Sequence, residues 1–179
     1  PTESVCFSYK YFSAILACLL IVMFVDAQEI NKVVFDSELN QEVLIGACNR
    51  VGLQNDPFKQ WFDAGYENYK PDANTIKELK KLKKDFSATI IIGTWCKDTK
   101  EQMPRFYKIA DEMGLNEKNI RLIAVNRSKS AGDVNTENFN VTKIPLFVFY
   151  KGDVEVGRVI ETPTFSLEKD MLFVLMQAQ

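Results

Sequence analysis

The stretch Ala88 to Gly93, ATIIIG, constrains the fold more than any other part of the chain. It is β-branched and nearly uninterrupted in its apolar character, the pattern of a strand covered on both faces and so central in its sheet. The next two segments of the chain supply its connection. From Lys97 to Met113 the residues Met103, Phe106, Tyr107, Ala110 and Met113 form a helical stripe, and Gly114 supplies a C-terminal cap. Ile120 to Asn126 (IRLIAVN) reads as the next strand. Strand, helix and strand over this length predict a right-handed parallel crossover.

The same patterning extends in both directions. Leu146 to Tyr150 and Val154 to Ile160 are joined by Lys151-Gly152-Asp153, a short turn that predicts an antiparallel hairpin. Ser166 then caps a closing helix carrying Leu167, Met171, Leu172, Val174 and Leu175. Upstream, Asn74 to Lys84 places Ile76, Leu79 and Leu82 on one side of a helix, with a lysine run as its solvated face. Asp56-Pro57 is a helix-start signal, because aspartate can cap free N–H groups and proline tolerates the first helical position. Phe58, Trp61, Phe62 and Tyr66 then recur at helical spacing as an aromatic face packed on the core. The expectation is an α/β fold with a central mixed sheet flanked by helices. With no repeat or linker between residues 28 and 179, they form one unit: a helical N-terminal extension over 28–72 and the main domain over 73–179.

The first segment reads as an address. Phe12 to Val25 is an uncharged, almost wholly apolar run preceded by Lys10, and Val25-Asp26-Ala27 ends on a small residue. This matches a secretory signal peptide over residues 1–27. The run is shorter than the roughly 20 residues a spanning helix needs, so a mature form that spans the membrane is not expected. The chain is expected to be exported, periplasmic or secreted, with membrane tethering if the segment stays uncleaved. Of four cysteines, Cys6, Cys18, Cys48 and Cys96, cleavage leaves Cys48 and Cys96 in a compartment where disulfides persist. Asn126-Arg127-Ser128 and Asn140-Val141-Thr142 fit the glycosylation pattern of a eukaryotic exported protein.

Several function classes drop out. The chain has no histidine, which removes Ser-His-Asp and Cys-His catalysis and His-based zinc sites. No two cysteines have metal-knuckle spacing, so no metal is expected, and nothing calls for a cofactor. A net charge of −2 with interspersed signs gives no general attraction to nucleic acid.

What remains is Trp95-Cys96-Lys97-Asp98-Thr99, placed where the central strand ends and the helix begins. A cysteine there meets free backbone N–H groups and the positive end of the helix dipole, which favour thiolate over thiol. Lys97 acts in the same direction and Asp98 against it, and both suit the start of a helix. Trp95-Cys96 at this junction, Pro104 inside the helix and Ile144-Pro145 directly before a strand together resemble the thioredoxin superfamily over roughly Thr75 to Gln179. The resemblance implies a thioredoxin-like fold, a cis-proline at Pro145 lying against the sulfur of Cys96, and Trp95, Ile144 and Pro145 as substrate-binding residues. The pattern around Ile45-Gly46, Arg50, Leu53, Pro57-Phe58 and Trp61-Phe62 is similar to the extension of exported bacterial members.

The chain also departs from that family. Redox-active members carry a second cysteine where this chain has Thr99, and often a buried acid where it has Ile90. Cys96 can therefore form a mixed disulfide but not clear it locally, while Thr99 can donate a hydrogen bond to the thiolate. Three routes stay open: a single-thiol oxidoreductase whose adduct is resolved by a small or protein thiol, a pairing in which Cys48 is the resolver, and a redox-inactive binding module for extended peptides. The expected function is an exported thiol-disulfide oxidoreductase with catalytic Cys96 and Thr99, acting on protein or small-molecule thiols and disulfides in cell redox homeostasis.

Overall fold

The computed structural model describes residues 29–82 and 86–177. The expected signal peptide and the last lysines of the Asn74–Lys84 helix lie outside the described residues. The elements run β1 (Lys32–Asp36), β2 (Gln41–Cys48), α1 (Arg50–Leu53), α2 (Lys59–Asn68), α3 (Ala73–Leu82), β3 (Ser87–Ile92) and α4 (Lys97–Met113). After them come β4 (Ile120–Ala124), β5 (Leu146–Lys151), β6 (Val154–Ile160) and α5 (Leu167–Met176). The chain is α/β, with one mixed six-stranded sheet in the order β1-β2-β4-β3-β5-β6 flanked by helices. β3 lies parallel to β4 and antiparallel to β5, which forms an antiparallel hairpin with β6.

Side-chain alternation along the strands divides the core in two. Ala88, Ile90 and Ile92 of β3, Leu122 and Ala124 of β4, and Phe147 and Phe149 of β5 point to one face, where the buried apolar residues of all five helices gather. Ile91, Ile123, Leu146 and Val148 point to the other, which is covered by Ala131, Val134, Val141 and Ile144 from the long β4–β5 connection. This two-sided burial is why the central strand is apolar almost throughout. α4 begins and ends where its stripe predicts, and Gly114 closes it in the left-handed conformation at φ 73°.

Three expectations need correction. The extension is helical only in part, because it contributes β1 and β2 to the sheet. Their turn is built by Asp36, whose Oδ1 accepts the N–H groups of Glu38 and Leu39 at 3.0 Å, and by Asn40 at φ 50°. Residues 29–72 are joined to the rest of the fold: β2 pairs with β4, and Leu44, Leu53, Phe58 and Phe62 share the helix-side core with Met103 and Phe106. Asp56-Pro57 does not start α2 either. That peptide bond is cis, and the helix begins at Lys59 with Phe58 at the N-cap position and no side-chain cap. At α5, Ser166 holds the N-cap position with extended backbone, but its hydroxyl makes no capping bond.

Candidate functional site

The central strand ends at Ile92, and a tight turn through Gly93, Thr94 and Trp95 leads into α4. Cys96 closes that turn: its N–H donates to the Gly93 carbonyl at 2.8 Å, and its own carbonyl accepts from the Lys100 N–H at 3.1 Å. It is thereby the N-cap residue of a 17-residue helix, with extended backbone and no side-chain capping bond to the first-turn amides, which have no carbonyl partner within the helix. Cys96 is half-buried and free. Its Sγ donates to the Ile144 carbonyl oxygen at 3.6 Å, and the Ile144-Pro145 peptide bond is cis. Ile144 and Pro145 are both buried, and the Pro145 carbonyl is held in turn by the Glu161 N–H at 2.7 Å. The structure therefore brings together Trp95, Cys96, Ile144 and Pro145.

Gly93, which in the sequence marks only the end of a strand, sets how closely these parts approach. A Cβ at this position would stand 2.7 Å from Ile144 Cδ1 and 2.7 Å from Cε2 and Nε1 of Trp95. Only the absence of a side chain lets the indole and the isoleucine pack across the turn. The indole N–H donates to the Val125 carbonyl at 3.0 Å, which fixes the ring against the segment leaving β4.

Thr99 is fully buried, and its Oγ accepts the Gly93 N–H at 3.4 Å. The expected hydrogen bond from Thr99 to the sulfur is not the one observed: the hydroxyl braces the turn that carries Cys96. Lys97 is exposed and Asp98 is half-buried in the first turn of α4. Ile90, at the position of the family's buried acid, has no exposed surface and faces the helix-side core.

Cys48 is not brought to Cys96. It is level with Leu122 of β4, which is level with Ile90 of β3, so β4 separates it from the strand that leads to Cys96. Two inter-strand spacings amount to roughly 9–10 Å, beyond the roughly 7 Å α-carbon limit for a disulfide, before the further distance from Ile90 to Cys96 is counted. The two side chains also lie on opposite faces of the sheet, Cys48 in the helix-side core and Cys96 against the other. Burial pushes the Cys48 thiol up to about 12, against the smaller opposing effect of hydrogen bonds from the backbone of Ala124 and Asn31. It is a packed thiol, not a resolver.

Two residues beside Trp95 carry no functional signal in the sequence. The guanidinium carbon of Arg127 lies 5.9 Å, and Nζ of Lys129 5.2 Å, from the indole ring. The one local pattern that includes either is Asn126-Arg127-Ser128, with its fit to glycosylation. In the structure Asn126 organises the loop, its Oδ1 accepting from Ser128 Oγ at 2.8 Å and from the Ser130 N–H at 3.0 Å. Among the described residues no cluster of His, Cys, Asp or Glu could hold a metal ion, and no helix is long and apolar enough to cross a membrane.

No family model and no curated protein matches the chain. Among solved structures it is similar to a protein of unknown function from Pseudomonas aeruginosa, with 16% identity over 66% of this chain and 80% of that one and a TM-score of 0.46. It is also similar to an HIV epitope-scaffold, with 15% identity over 66% of this chain and 72% of that one and a TM-score of 0.42.

Proposed function

We propose that the chain is a thioredoxin-like protein that exchanges thiols and disulfides through a single sulfur, that of Cys96. The observation that carries this reading is the placement of Cys96 Sγ at a helix N-cap, 3.6 Å from the carbonyl that precedes a cis-proline. A sulfur there lies at the positive end of the helix dipole, with the Ile144 carbonyl as a fixed backbone edge beside it. The parallel β3–α4–β4 crossover and the β5–β6 hairpin support the thioredoxin-like fold, as does Pro104 within α4.

In the proposed reaction Cys96 gives up its thiol proton to solvent and its sulfur attacks one sulfur of a substrate disulfide. The substrate S–S bond breaks as the Cys96 S–S bond forms, and the departing sulfur leaves as a thiolate that takes up a proton. With Thr99 at the usual resolving position and Cys48 across the sheet, a second thiol from solution attacks the adduct. That thiol is oxidised into the product disulfide and Cys96 is restored. Export to an oxidising compartment rests on residues 1–27 and belongs to this proposal.

The missing resolver favours a second reading, a redox-inactive module that holds extended peptides beside Pro145. Turnover of a disulfide substrate in the presence of a small thiol separates the two. Activity in the wild type that disappears in Cys96→Ser, together with a Cys96 adduct detected by mass, supports exchange. Equal inactivity of both chains, with Cys96 still a free thiol, supports the binding module.

A further inference from the structure

The loop after β4 places two cations over the tryptophan next to Cys96. Arg127 is exposed and Lys129 half-buried, and among the described residues neither makes an ion pair. The arrangement is held rather than incidental. Asn126 pins the loop from within, Lys129 takes the left-handed conformation at φ 67°, and the indole is tied to Val125. Each cation gains from the ring's negative face, but two like charges sharing one ring repel each other. An anion lying between them would remove that repulsion.

The surface continues beyond Arg127. The β1–β2 hairpin overhangs the end of β3, since the Leu44 N–H donates to Thr94 Oγ at 3.1 Å. Between hairpin and loop runs an open groove lined by Phe35, Val43, Ile45, Asn126, Arg127 and Ser130. Carboxylates sit at its far side: Asp36, whose Oδ1 is occupied within its own turn, and Glu38. Closer to the sulfur the nearest acid in sequence is Asp98. In the groove's lining Arg127 supplies the positive charge and Asp36 and Glu38, on the hairpin, the negative, with Phe35, Val43 and Ile45 as apolar surface.

We propose that the partner seated here is an extended peptide with a carboxylate side chain within about two residues of its reacting cysteine, a span of roughly 7 Å in extended chain. The carboxylate lies between Arg127 and Lys129 beside Trp95, and the peptide runs on into the hairpin groove. The proposal takes its register from the reading of Cys96 as the attacking sulfur, but its test does not depend on reactivity.

The test uses the full chain carrying Cys96→Ala, so that no covalent capture occurs, and follows the Trp95 indole N–H by NMR. The probes are a blocked hexapeptide with serine in place of cysteine flanked by two glutamates, the same peptide with glutamines, and S-methylglutathione. The glutamate peptide is expected to bind roughly tenfold more tightly than the glutamine peptide at low salt. The preference should shrink at about 0.3 M salt as screening shortens the range of the interaction. It should be lost in Arg127→Gln/Lys129→Gln and kept in Lys118→Gln, which lies at the opposite end of β4. Equal binding of both peptides, no binding of either, or a preference that survives the double substitution overturns the proposal. Binding of S-methylglutathione alone overturns the peptide assignment in favour of a small anionic thiol. Independently, the rate at which the wild-type chain forms a Cys96 adduct with a neutral disulfide reports on the exchange reading. An unreactive Cys96 with a charge-dependent peptide preference leaves the cationic site standing and removes the chemistry.

Discussion

Gly93 shows how one missing side chain can govern a site. The Cβ of an alanine would stand 2.7 Å from both Ile144 and the Trp95 ring, closer than packed atoms tolerate. The turn, the indole or the Ile144-Pro145 segment must then move. Overpacking of this kind costs about 1–3 kcal/mol, which leaves a fold with this much buried core intact. Displacing Ile144 also changes the distance from its carbonyl to Cys96 Sγ, and small misplacements of reacting groups can cost up to roughly a hundredfold in rate. Gly93→Ala is therefore expected to keep a cooperative urea transition at a lower midpoint and to slow Cys96 adduct formation at least several-fold beyond what unfolding accounts for. Unchanged adduct rates in a destabilised chain would separate the packing from the chemistry. Thr99 belongs with Gly93, because its hydroxyl oxygen accepts the Gly93 N–H and braces the turn.

At the level of elements, the contact between α2 and α4 depends on a matched pair. Pro104 inside α4 lacks the N–H that would bond to the Lys100 carbonyl, and its ring lies against Gly65 of α2. A Cβ on Gly65 would meet Pro104 Cγ at 2.8 Å and Cβ at 2.9 Å. Gly65→Ala should destabilise by about 1–3 kcal/mol in the natural background and by much less beside Pro104→Ala. Urea unfolding of the four chains reads the coupling directly, and additive effects would show that the helices do not meet through this pair. Much of this architecture was legible because its signals are local: the apolar run of β3, the stripe of α4, the turn between β5 and β6. β1 and β2 escaped because Val33 and Phe35 stay exposed at the sheet edge and Gly46 interrupts β2, so neither strand alternates cleanly between buried and polar positions. Trp95, Cys96 and Ile144-Pro145 stood out through their positions at strand ends. Arg127 and Lys129 did not, since their approach to Trp95 is made by a loop some thirty positions along the chain, and no local pattern marks such a contact.

Across the whole molecule, residues 29–72 and the rest share one core, so groups buried in it report on global unfolding. Cys48 is held in its thiol form, with its pKa pushed up to about 12 by burial. Tyr107, and the half-buried Tyr69 packed against the same core, are raised in the same direction, first by burial and then by neighbouring carboxylates, Glu117 for Tyr107 and Glu168 for Tyr69. In the unfolded chain these groups lose their protons at ordinary values, near pH 9 for the thiol and 10 for the phenols. Between there and the folded values the unfolded state binds fewer protons than the folded one, so stability falls as pH rises. Each fully shifted group contributes a slope of about 1.4 kcal/mol per pH unit. The acid side runs oppositely. Burial alone would raise the carboxyl of Glu168, but hydrogen bonds from Tyr69, at 2.5 Å, and the Asp72 N–H hold it low. Its stabilisation is present above the ordinary carboxyl range and is lost as pH falls through the folded value. Urea midpoints are therefore expected to be insensitive to Cys48, Tyr69 and Tyr107 below about pH 8 and to drop steadily above about pH 9. Cys48→Ala and Tyr107→Phe should each flatten the alkaline limb whatever they do to stability at pH 7, because the substitution removes the proton and not only the packing. A limb equally steep in both variants would mean that these groups reach water in the folded chain, and that the shared core does not enclose them.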